Sequence, residues 1–116
     1  MIHVVYDRRR CRIEVSGHAD SGPFGQDVLC GMVSILTYTA AQMVADENEA
    51  GHLLNATIDV DNPGYAYIGC RPLFWRKPDI RRKLDTVVTG LEILAYNYPG
   101  KVGINYRKLV ARPQKK

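Results

Sequence analysis

His18 and Cys30 stand twelve residues apart, and their types suit nucleophilic chemistry. A thiol alone is a poor nucleophile near neutral pH, because only a few per cent is thiolate at a pKa of about 8.5. An imidazole beside it takes its proton and, as imidazolium, holds the thiolate, which lowers a thiol pKa by several units. The pair would serve a cysteine hydrolase, Cys30 attacking a carbonyl and His18 moving the proton. Asp27 lies three residues before the cysteine and Ser34 four after it, so on a helix all three share a face. Asp27 has two readings: a helix cap or first-turn acid, or the carboxylate that orients His18. Ser34 either bonds within such a site or back to its own helix backbone.

Two elements and a loop must bring the pair together. Cys11, Ile13 and Val15 alternate with Arg12, Glu14 and Ser16, the period of a strand that ends near His18. Val28, Leu29, Met32, Val33, Leu36, Ala40 and Met43 recur every three or four positions, the period of a helix beginning near Asp27. That start places Cys30 in the first turns. There the helix dipole stabilises a thiolate by about 0.3–1 kcal/mol, less than one pKa unit, so His18 must supply the larger part of any activation. The first-turn N–H groups would be candidates for holding an oxyanion. Ala19, Asp20, Ser21, Gly22, Pro23, Phe24 and Gly25 connect the two elements. Their glycines and Phe24 suit either a lid that orders over a bound peptide or a turn serving geometry only.

The rest of the chain reads as one domain over residues 1–110 with a basic tail at 111–116. Ile2, Val4 and Tyr6 mark a first strand. Ala56, Ile58 and Val60 mark a third, and Asp61-Asn62-Pro63-Gly64 carries turn chemistry into a fourth at Tyr65–Cys70. Pro78 suits a first helical position, and Ile80, Leu84, Val87, Val88, Leu91, Leu94 and Tyr98 form the stripe of a second helix. Val102, Ile104 and Tyr106 close the chain as a fifth strand. The order ββαββαβ predicts an α+β fold, a two-layer sandwich. Both helices would cover one face of a mostly antiparallel sheet.

At 116 residues, 46% apolar and 24% charged, the chain has the composition of a soluble globular protein. No apolar run approaches the roughly 20 residues that span a bilayer, and no basic-then-apolar leader opens the chain. A cytoplasmic location away from the membrane is the expectation. Three cysteines without Cys-x-x-Cys spacing argue against a disulfide framework, and Cys11 and Cys70 read as buried strand residues. Metal-ligand spacing is lacking, so neither metal nor other cofactor is expected. His3 reads as a surface residue, and His52 as a cation favoured just past a helix C-terminus.

Gly17-His18-Ala19-Asp20, then Gly22 and Gly25, then Asp27-Val28-Leu29-Cys30 and Ser34, closely resemble the signature of the Prp family, the ribosomal-processing cysteine proteases. The likeness extends more loosely to Gly90-Leu91 and Tyr98-Pro99. It implies a cytoplasmic endopeptidase acting as a homodimer, with Cys30 as nucleophile, His18 as general base and Ala19–Gly25 as a loop that moves on substrate binding. The implied substrate is the N-terminal extension of ribosomal large-subunit protein number twenty-seven, or a virion protein in phage and prophage relatives.

A competing reading comes from charge. The net charge is +4, and Arg71, Arg76, Lys77, Arg81, Arg82 and Lys83 cluster around Phe74 and Trp75. Cations interleaved with aromatic rings suit single-stranded nucleic acid, which would make this a non-catalytic ribosome- or RNA-associated module. A degenerate family member acting as inhibitor or scaffold is a third reading. Thiol reactivity at Cys30 distinguishes it from the first.

Overall fold

The computed structural model describes residues 1–17 and 23–107, with 23–27 as backbone alone. The elements are β1 (Ile2–Asp7), β2 (Arg12–Gly17), α1 (Pro23–Glu49), β3 (Leu53–Asp59) and β4 (Tyr65–Pro72), followed by a 3-10 turn (Phe74–Arg76), α2 (Lys77–Asn97) and β5 (Val102–Tyr106). The sheet runs β3-β4-β2-β1-β5. Both hairpins and the β2–β4 seam are antiparallel, and β5 lies parallel to β1, the direction a helical crossover permits.

Alternation along the strands decides the layers. Val4, Ile13 and Ile68 point inward and are buried, while His3, Arg12 and Arg71 point outward and are exposed. Both helices cover the inner face. α1 lies on β3 and β4, and α2 lies on β5 and against α1. Leu29, Val33 and Val44 from α1 meet Ile80, Leu84 and Leu91 from α2 in the core. The helices approach closely at Gly90, where a Cβ would stand 2.7 Å from Leu36 Cδ2. This is the expected two-layer α+β sandwich.

Three local expectations are corrected. α1 starts at Pro23, not near Asp27. Proline fits the first helical position because its fixed φ suits the helix and its missing N–H has no partner to lose there. Cys11 precedes β2 in the turn, at φ 55. The segment Val28–Glu49 is, by length and composition, long and apolar enough to cross a membrane, although polar residues interrupt it throughout. In the fold its Leu29, Val33, Ala40 and Val44 face the sheet and α2 instead.

At the C-terminal end of α1, the buried Glu47 carboxylate ties the two helices together. It accepts a hydrogen bond from Lys83, meets His52 Nδ1 at 2.7 Å and lies 3.6 Å from Arg76 Nη2. The Lys83 hydrogen bond, seconded by His52 and opposed by burial, holds the carboxyl below its usual range. The partner of His52 is thus a specific carboxylate rather than the helix dipole.

Candidate active site

β2 ends at Gly17 with φ +95, a region glycine enters without the penalty of a side chain. Its N–H donates to the Gly64 carbonyl at 2.9 Å, which joins the end of the first hairpin to the turn of the second. A Cβ on Gly17 would stand 2.3 Å from the Met1 carbonyl oxygen. Angle and space both require glycine here.

Between this seam and α1 lies a cavity of about 360 Å³. α1 contributes Cys30 and Ser34, one helical turn apart on the same wall, with Val33 and Thr37 beside them. Ile2, Val15 and Ala66 form the apolar floor, and the turn 60–65 forms the far wall. Buried Leu29 and Val33 fix the rotation of the helix, leaving the Cys30 thiol half-buried and free of any disulfide. Gly17 lines the same cavity, so the strand end and the cysteine-bearing helix meet as the sequence spacing requires. His18, Ala19, Asp20, Ser21 and Gly22 lie outside the described residues.

The earlier start of α1 changes the electrostatics. Pro23, Gly25 and Asp27 are helix backbone, so the last three residues of the expected loop belong to α1. Asp27 is no longer placed to cap the helix. Cys30 stands seven residues past Pro23, which has no N–H to offer, so the unpaired N–H groups of residues 24–26 lie about 6–9 Å away along the axis. That is beyond hydrogen-bond reach of the thiol, and the dipole's effect falls off within the first turn. A neighbouring side chain must supply the larger part of any activation.

The other cysteines differ. Cys11 is 1% exposed and Cys70 7%, and the Cys70 N–H donates to the Cys11 carbonyl at 3.2 Å. A hydrogen bond from the Cys70 thiol, aided by Arg81 and Lys77 against the cost of burial, holds the Cys11 thiol below its usual range. The same contact and burial push Cys70 up. His3 is exposed on the opposite face of the sheet. Sequence reasoning missed the role of residues 60–65 as a cavity wall, because Asp61-Asn62-Pro63-Gly64 signals only that the chain turns.

The sequence pattern of the family described as cysteine protease Prp matches residues 1–103. The chain belongs to the Prp family. Among solved structures it is similar to the essential ribosomal processing protease Prp of Staphylococcus aureus in complex with a substrate peptide. That match has 18% identity and a TM-score of 0.64, and covers 91% of this chain and 97% of that one. It is also similar to a Streptococcus mutans protein, with 24% identity, a TM-score of 0.62 and coverage of 91% and 93%. No curated protein matches it in sequence. The structural likeness establishes the fold, and the family match establishes membership of a family of cysteine proteases.

Proposed function

We propose that this Prp-family chain is a cytoplasmic cysteine endopeptidase that removes a short N-terminal extension from a ribosomal large-subunit protein. Cys30 is the nucleophile and His18 the general base. The observation that carries the reading is the shared cavity: the Cys30 thiol and Gly17, the residue before His18, line one space. His18 takes the thiol proton, the sulfur attacks the scissile carbonyl, and the imidazolium returns the proton to the leaving amine. Water then releases the acyl group from Cys30. The apolar floor of Ile2, Val15 and Ala66 suits an apolar or aromatic side chain beside the scissile bond. Val28, Ile35 and Tyr38 are more than half exposed along one face of α1, and this strip is the surface on which two copies would pair.

Cleavage of peptides carrying such an extension, and of a phage structural protein, followed by mass spectrometry, tests the reading. The wild-type chain should cut the ribosomal peptide at one bond. Cys30→Ala should lower the rate by roughly 1,000-fold or more. His18→Ala should do nearly the same, since residues acting as a unit fail together. Unchanged cleavage by Cys30→Ala would defeat the assignment, and cleavage of the phage protein alone would move the substrate.

A further inference from the structure

The basic cluster around residues 71–83 divides once the chain is folded. Arg76, Arg82 and Lys83 are each within ion-pair distance of Asp79 or Glu47, and neither Phe74 nor Trp75 lines the pocket that the others form. Arg71, Lys77 and Arg81 turn the opposite way. They join Arg9, Arg10 and Arg12 around an open pocket of about 580 Å³, whose described lining includes no Asp or Glu. Arg81 spends its hydrogen bonds on the Arg8 and Arg9 carbonyls, at 3.2 and 2.8 Å, which fixes the β1–β2 turn and presents Arg9 and Arg10. Arg10 comes within 4.0 Å of Asp7. For the other five cations no carboxylate partner stands among the described residues. Six like charges gathered this closely repel one another and favour an anionic occupant.

The floor of this pocket is flat and aromatic. Arg12, Gly69 and Thr57 stand in one row across β2, β4 and β3, all on the face away from the helices. The ring of Tyr67 lies over Gly69, where a Cβ would meet its Cε2 and Cζ at 3.2 Å and its hydroxyl at 3.0 Å. Glu14 and Asp59 flank Tyr67 on the neighbouring strands. They accept hydrogen bonds from Tyr65 and Asn62, on the side of Tyr67 away from Gly69, and neither lines the cationic pocket. Cations around a half-buried ring on an open sheet face are the recognition chemistry of single strands: phosphates on the arginines, a base on the ring. A carboxylate-rich peptide would use the charges and leave the ring without a role.

We infer that the outer face of the sheet at Tyr67 binds a single-stranded nucleic acid, its phosphates held by Arg9, Arg10, Arg12, Arg71 and Lys77. The test is fluorescence polarisation with labelled twelve-nucleotide RNA, the matching DNA and the matching duplex, titrated with the full chain over roughly 50–300 mM salt. Binding should favour single strands, and log affinity should fall linearly with log salt at about −0.7 per phosphate engaged. Arg12→Gln with Arg71→Gln should flatten that slope by about 1.4, whereas Arg82→Gln should leave it unchanged. Tyr67→Ala should weaken binding roughly 10-fold with the slope intact. RNA and DNA differing in affinity assigns the sugar preference, and equal affinity leaves the site to single strands of either kind. Absence of binding at the lowest salt overturns the inference. So does preference for the duplex, an unaltered slope in the double variant, or full competition by a charge-matched oligo-glutamate. Peptide cleavage by the double variant should remain at the wild-type rate.

Discussion

The two ends of the same pair of hairpins have been given opposite surfaces. At the Gly17 and Asn62–Gly64 end, the strands and α1 enclose a small apolar-floored cavity with an accessible thiol. At the Arg12 and Arg71 end, five residues along β2 and roughly 17 Å away, the wider pocket is cationic, and the nearby Cys11 and Cys70 are buried. The difference teaches that cysteine chemistry here is governed by access rather than by charge. Cys11 has the cations and the hydrogen bond that favour a thiolate, yet at 1% exposure no substrate carbonyl can reach it. Cys30 has the opening, and in the proposed mechanism its base is His18.

Thiol labelling gives the largest expected contrast. Treatment with iodoacetamide below pH 8, followed by peptide mapping, should modify Cys30 completely while Cys11 and Cys70 remain unlabelled until the chain unfolds. The ratio of labelling rates should exceed roughly 1,000, because native-state exposure of core groups follows the unfolding equilibrium. Labelling of Cys11 at a rate within tenfold of Cys30 would erase the distinction between the two ends.

Glycine substitution comes next. Gly17 and Gly100 share a positive φ, +95 and +82, but only Gly17 has a carbonyl against its absent Cβ, Gly100 having open space. Gly100→Ala should lose about 1 kcal/mol for the backbone angle alone. Gly17→Ala should lose roughly 2–4 kcal/mol, the added strain falling on the seam that positions the cavity. Its peptidase rate should fall along with its stability. Equal losses in urea melts would show that the close approach at Met1 is not what fixes this glycine.

Much of this architecture is legible in the chain itself. Period-two and period-3.6 patterns locate all five strands and both helices, since burial on one face imposes those repeats. Gly17, Cys30 and Ser34 can be tied to one site because a strand end and a helix face are local properties. The start of α1 is less legible. Gly22, Pro23 and Gly25 look like a turn, and the helix absorbs Gly25 at a cost of about 0.5–1 kcal/mol. Pairing of charges is legible only in part. Asp79 stands three residues from Arg76 and Arg82 and four from Lys83, spacings that face one another on a helix, while Lys77 and Arg81 stand two away. The share taken by Glu47, some 30 residues earlier, has no local signal.

Glu47 therefore marks the border between spent and unspent cations. Its carboxylate faces Lys83 and Arg76 from the α2 side and His52 from the chain beyond α1, with Asp79 completing the group 3.4 Å from Lys83. A carboxyl held below its usual range in the folded chain stabilises the fold above its unfolded pKa, about 4.3. That contribution disappears as pH falls through the lower, folded value. Glu47→Gln should cost about 1–2 kcal/mol at pH 7, a modest figure because Lys83 is 41% exposed and water screens it. The corresponding drop in Tm is roughly 4–10 °C. Wild type and variant should converge as pH falls through the lowered folded value, below which both carry a neutral group at position 47. If their melting temperatures stay equally far apart from pH 7 down to the acid limit of folding, the residue contributes shape rather than charge, and the division of the basic cluster must be held by Asp79 alone.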